Sequence, residues 1–159
     1  YPELQITNAI AICPPIDLAY SSQMITDKHL GFYDYQFIRS LKKDLLQRRQ
    51  HHPDCPWGQL SPFPKTLFEF DNRFTAPLNG FLDAADYYQK SSSKDRLSEI
   101  TVPTIVLVAN DDPVVPAEIF DDAQISESTT LIRTDFGGHL GFLAREGKRW
   151  MDDQLMYWL

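Results

Sequence analysis

The run PTIVLVA at residues 103–109 constrains this chain more than any other stretch. It is almost unbroken in β-branched and apolar residues, opens on a proline at the one strand position that tolerates it, and closes on Asn110, Asp111 and Asp112. A strand apolar on both of its faces must be covered on both. That condition belongs to parallel sheets flanked by helices, because a parallel connection has to cross over the sheet.

Two further runs fit the same frame. ITNAIAI at 6–12 is rich in isoleucine and is stopped by Pro14 and Pro15, and TTLIRT at 129–134 precedes a cluster of glycines. About 90 residues (13–102) separate the first two strands, far beyond the dozen or so that a crossover needs, so an insertion lies between them. The fold class is therefore α/β, with a core formed by residues 1–19 and 101–159 and a helical insertion over 20–100.

Within the insertion, Phe37, Ile38, Leu41 and Leu45 fall within roughly 100° of a helical wheel, which predicts an amphipathic helix from Tyr35 to Gln50. The prolines and glycine of HHPDCPWGQLSPFPK predict a loop after it. Shorter helices are predicted over Thr66–Phe74 and Asp83–Ser91, with a turn at KDRLSEI. A closing helix sets Met151, Leu155 and Trp158 on one side. The insertion aromatics Phe32, Tyr33, Tyr35, Phe68, Phe70, Phe74, Tyr87 and Tyr88 are expected to be mostly core, with some lining an apolar pocket for an acyl chain.

The 159 residues carry a net charge of -7, which works against a nucleic-acid partner, since phosphate neutralisation needs clustered Lys and Arg. No apolar run approaches the roughly 20 residues of a membrane span. Cys13 and Cys55 are too few for a disulfide framework, which points to a reducing compartment and a cytoplasmic location.

Chemistry concentrates at two places. Asp112 follows the strongest strand, at the carboxyl edge where open α/β sheets bind their ligands. His139 lies in TDFGGHLGF, just past the third strand, so the same topology returns it to the same edge. A carboxylate that accepts the imidazole Nδ1 proton leaves Nε2 free as a general base. Gly137 and Gly138 are expected to turn the chain through positive φ, and Gly141 to leave room beside the ring. Asp111 is the competing carboxylate, and Asp121 and Asp122 read as solvated charges at a helix face or end.

The metal-like cluster in the sequence is His51, His52, Asp54 and Cys55. Adjacent histidines point in different directions on a helix and Pro53 breaks the spacing, so no metal site is assigned there. His29 has no evident partner in the sequence.

The segments DYYQKSS, ITVPTIVLVANDDPVVP and GGHLGF resemble the YheT-like group of α/β-hydrolases and the related abhydrolase-domain lipid esterases. The similarity extends to CPPIDL after the first strand and to FDNRFTAPLNGF in the insertion, which covers most of the chain. It implies an ester hydrolase acting on a small-molecule ester or lipid-like substrate without a cofactor. In it Asp112 is the acid and His139 the base of a Ser, Asp, His triad, and the insertion is a cap.

No G-x-S-x-G occurs among the seven glycines. The resemblance therefore places the nucleophile elbow before residue 1, and the chain reads as a C-terminal portion, inactive alone, that needs an upstream strand to complete its sheet. The alternative is a non-catalytic α/β domain that binds a partner through its open sheet edge or apolar helix faces.

Overall fold

A computed structural model describes residues 5–27, 31–52, 62–144, 147 and 149–158. Three strands, β1 (Ala9–Ile12), β2 (Thr104–Ala109) and β3 (Thr129–Thr134), form one parallel sheet in the order β1-β2-β3. The helices are α1 (Leu18–Asp27), α2 (Phe32–His51), α3 (Leu67–Phe70), α4 (Ala76–Leu78), α5 (Ala84–Ser91) and α6 (Trp150–Trp158). A three-stranded parallel sheet with flanking helices is the architecture of the C-terminal part of an α/β-hydrolase fold.

The chain divides into two compact units, Tyr1–Asp17 with Ser92–Leu159, and Leu18–Ser91. In the first unit the alternation of β2 explains its unbroken apolar character. Val106 and Val108 enter one cluster with Ile16, Leu97, Val115, Ile119 and Phe120, whereas Leu107 and Ala109 enter another with Cys13 and Phe142. Trp150, Met151 and Trp158 of α6 pack against the second cluster. With both faces occupied, Leu107 and Val108 are almost wholly buried, each contributing about 1.5–3 kcal/mol.

The first strand is shorter than its sequence pattern predicts. Its pairing begins at Ala9 opposite Thr104, the first residue of β2, so residues 6–8 have no partner strand beside them among the described residues, and Ile6 is 68% exposed. As an edge strand β1 is only half-buried, unlike β2 in the centre.

The helical unit has a core of Ile38, Leu45, Phe70 and Phe74, with Leu41 and Phe63 packed against it. The predicted α2 stripe thus holds for Ile38, Leu41 and Leu45, while Phe37 lies at its exposed margin. Of the aromatics assigned to the core, Phe70, Phe74 and Tyr88 are buried but Phe32, Tyr35 and Phe68 are exposed. Thr66 caps α3, its side chain accepting the Glu69 N–H at 3.1 Å, and the helix continues through a π turn at Asp71–Thr75 into α4.

Buried carboxylates fasten this unit. Asp34 accepts the Leu67 N–H at 2.6 Å and the Thr26 hydroxyl at 3.1 Å, tying α1, α2 and α3. Asp71 accepts the Thr75 hydroxyl at 2.6 Å and the Tyr88 hydroxyl at 2.6 Å. Because Tyr88 donates to Asp71, it accepts from Ser22, 3.0 Å away, which ties α1 and α5 to the π turn. Burial, then the Asp71 carboxylate, pushes the Tyr88 hydroxyl well above its ordinary 10.0.

Candidate active site

The site is built from the chain turns that leave the carboxyl ends of the strands. At the end of β2, Asp112 folds its side chain back onto its own loop, where Oδ1 accepts the N–H groups of Val114 at 2.7 Å and Val115 at 2.9 Å. Aspartate favours such local turns, and Pro113 between donor and acceptor fixes the backbone that closes this one. The residue is 3% exposed. One oxygen is consumed locally, so the other is aimed elsewhere.

That second oxygen meets His139. Asp112 Oδ2 and His139 Nδ1 are 2.9 Å apart, across 27 positions of sequence. The carboxylate only accepts, so Nδ1 carries the proton and Nε2 is left as the basic nitrogen. The side chain of Asp112 is 1% exposed and that of His139 35%, a ring anchored on its inner side and open on its outer one.

The glycines around His139 serve reasons partly different from the predicted ones. Gly138 does take positive φ, at 58°. Gly137 does not, and is required because a Cβ there would lie 2.5 Å from the Phe142 ring and 3.0 Å from the Ala109 side chain. Gly141 makes room for a backbone carbonyl, that of Gly137, rather than for the imidazole. The turn is closed by the Gly141 and Phe142 N–H groups, both donating to the Gly137 carbonyl, at 3.0 and 2.8 Å.

Asp111, the competing carboxylate, fixes that turn. Its Oδ1 accepts the N–H groups of Gly137 at 2.9 Å and Gly138 at 2.8 Å. Adjacent aspartates thus divide the work, Asp111 holding the backbone that carries the histidine and Asp112 holding its ring. Asp121 and Asp122 stand apart in surface ion pairs with Arg133 and Lys94.

A third group reaches the pair. Cys13 directly follows β1, whereas Asp112 lies three residues past the end of β2, and the Cys13 N–H donates to the Leu107 carbonyl at 2.8 Å, extending the ladder by one bond. Its side chain is 2% exposed, and Sγ donates to the Gly138 carbonyl at 3.9 Å. Burial first, and then the Asp112 carboxylate, pushes this thiol up to about 12. Sγ, one Asp112 oxygen and one His139 ring nitrogen all lie within 4.8 Å of one another. The available signal was topological: parallel neighbouring strands end at one edge, so the segments that leave their carboxyl ends share one neighbourhood. Counting cysteines for disulfides overlooks it.

Cys13 at φ 45° and Phe142 at φ 40°, both in the same buried cluster, hold left-handed backbone without being glycine. Such conformations persist where the surroundings over-determine them. Near the histidine, Phe136, Leu140 and Leu143 expose large apolar side chains. Of the predicted metal-like cluster, His51 and His52 end α2, while Asp54 and Cys55, like His29, lie outside the described residues. Among the described residues, no helix is long and apolar enough to cross a membrane.

Three relatives bracket the chain. It is 32% identical to the monoacylglycerol lipase of Saccharomyces cerevisiae over 98% of its own length and 36% of that protein's. It is 24% identical to the Escherichia coli protein named esterase YheT, over 99% of the chain and 48% of that protein. It is 37% identical to the mouse phospholipase ABHD3, over 50% of the chain and 20% of that protein. The chain thus spans less than half the length of each of these relatives. No family model and no solved structure matches it.

Proposed function

We propose, from the premise that this chain belongs to the abhydrolase-domain group of the α/β-hydrolases, that Asp112 and His139 are the acid and base of a serine-dependent ester hydrolase. The observation that carries this is the 2.9 Å contact between Asp112 Oδ2 and His139 Nδ1, made by a buried carboxylate and a half-open ring. The names of the relatives, a lipase, an esterase and a phospholipase, support an ester or lipid-like substrate.

In this mechanism Nε2 of His139 takes the proton of a serine hydroxyl as it attacks the ester carbonyl, then delivers that proton to the leaving alcohol. Asp112 keeps the proton on Nδ1 and stabilises the imidazolium that forms between the two steps. The serine comes from sequence outside these 159 residues, on a strand that pairs with the open edge of β1. The fraction of each relative that the chain spans supports this, as does the lack of any G-x-S-x-G. The insertion over residues 20–100, most of which belongs to the helical unit Leu18–Ser91, is the cap in this reading.

The test is the complete reading frame and the protein it encodes. A G-x-S-x-G is expected about 15–40 residues before residue 1, one crossover helix with its loops. The full-length protein should label with a fluorophosphonate at that serine and hydrolyse esters. Serine labelling and turnover by the 159 residues purified alone would falsify the assignment.

A further inference from the structure

The three residues that follow β2 take hold of the segment leaving β3 one after another. The Asn110 N–H donates to the Thr134 carbonyl at 2.8 Å, and its Nδ2 to Asp135 Oδ1 at 3.3 Å. Asp111 Oδ1 accepts the Gly137 and Gly138 N–H groups at 2.9 and 2.8 Å, and Asp112 Oδ2 meets His139 Nδ1 at 2.9 Å. We propose that Asp111 is a positioning residue for the acid–base pair: its carboxylate oxygen, seated on the two glycine amides, fixes where the turn holds the His139 ring against Asp112, and so sets kcat.

Three observations converge on this. The amides that Asp111 holds belong to the two residues immediately before His139, so a displacement of its oxygen passes directly into the backbone of the histidine. Glycine at 137, 138 and 141 gives the turn no side chains of its own to pack and more backbone freedom to lose than any other residue would, and the ring, 35% exposed, is open on its outer side. Location therefore has to come from hydrogen bonds. Two successive amides directed at one oxygen also make an anion-binding nest, which the φ of 58° at Gly138 helps to form, so the seat calls for an oxygen at one point rather than for a negative charge nearby.

The inference rests on the acid–base assignment above, and the experiment separates the two. In the full-length protein, kcat and KM for 4-nitrophenyl butyrate are measured for Asp111→Ala, Asp111→Asn, Asp111→Glu and His139→Ala. The low-field His139 Nδ1 proton resonance is recorded for the wild type and the Asp111 variants.

Without the oxygen the turn is free to drift, and the imidazole drifts with it. Asp111→Ala should lower kcat about 10- to 30-fold with KM held, and broaden the resonance as the Nδ1 proton exchanges faster with water. Asp111→Asn keeps a carbonyl oxygen that can accept both amides and should recover kcat to within about threefold, and the resonance with it. Asp111→Glu keeps the charge but carries its oxygens one methylene too far, and should stay impaired by about tenfold. The contrast between the last two separates placement from charge, and decides the question even if Asp111→Ala does not fold.

An Asp111→Ala variant with wild-type kcat and resonance overturns the proposal, as does a loss confined to KM. So does Asp111→Asn as impaired as Asp111→Ala, or Asp111→Glu at the wild-type kcat. Full activity in His139→Ala removes the acid–base assignment and this inference with it, whereas an inactive His139→Ala beside an unperturbed Asp111→Ala removes this inference alone.

Discussion

Two carboxylates, one in each unit, are buried to similar depth and do different things. Asp71, at 8% exposure, spends both oxygens on hydroxyl donors inside the helical unit, from Thr75 and Tyr88. Asp112, at 3%, spends one oxygen on its own loop and the other on an imidazole that reaches the surface. The lesson is that burial of a charge does not mark function. What separates a fastening carboxylate from a chemical one is whether its last partner can itself gain or lose a proton in contact with solvent or substrate.

Substitutions in the full-length protein can break this contrast, and the largest effect is expected at the ring itself. His139→Ala should lower kcat by about 10^5-fold or more with the melting temperature little changed, measured on an ester substrate and by thermal denaturation. Retained turnover would erase the distinction between the two carboxylates. Asp112→Asn should cost about 10^4-fold, because an amide can present its NH2 to Nδ1 and favour the wrong tautomer. A loss within tenfold would mean that the ring needs no anchor.

Gly137→Ala sharpens the same point without touching a titratable group. The added methyl meets the buried Phe142 ring at 2.5 Å, so ring or turn must move, and His139 moves with the turn. A drop in kcat of about 10- to 100-fold is expected. Wild-type kinetics would show that the ring's position is not set by this packing.

Asp71→Asn is the counterpart in the helical unit. It leaves the Thr75 and Tyr88 hydroxyls with one carbonyl acceptor between them and should cost about 1–3 kcal/mol of stability, read by denaturant unfolding, with kcat per folded molecule unchanged. A selective loss of kcat would move Asp71 into the functional class.

The smallest effect is an alkaline one. Cys13 is raised from its ordinary 9.0 to about 12, so on unfolding it releases a proton that the folded protein keeps. Its contribution is fully present below pH 9 and is lost as the pH rises from 9 towards 12, reaching about 1 kcal/mol by pH 10. Tyr88, also raised, adds a loss of the same sign above pH 10. Unfolding curves collected from pH 8 to pH 11 check this, and Cys13→Ala should flatten the first part of the decline.

Much of the first unit was legible in the residues. The strand at 103–109 announced itself because a central parallel strand is apolar on both faces, and the positions of Asp112 and His139 followed from the rule that parallel strands share a carboxyl edge. The helical unit was less legible, and α1 shows why. Its buried residues are Ser21, Ser22 and Ile25, so the face it turns inward is largely hydroxylic and gives no apolar period to read. Edge position likewise cut β1 short of its apolar run, since a strand ends where its partner does.

From the amino-acid order alone came the elements whose cause is local: where apolar runs form strands, where prolines stop them, and that a carboxylate and a histidine must end at one rim. Tertiary structure alone decided what each carboxylate is for. Asp111 and Asp112 are adjacent and chemically identical, yet one was given two glycine amides and the other a histidine, each contributed by a segment far away in the chain. A side chain's role follows from the donors that surround it, and those are assembled only when distant strands come to lie side by side.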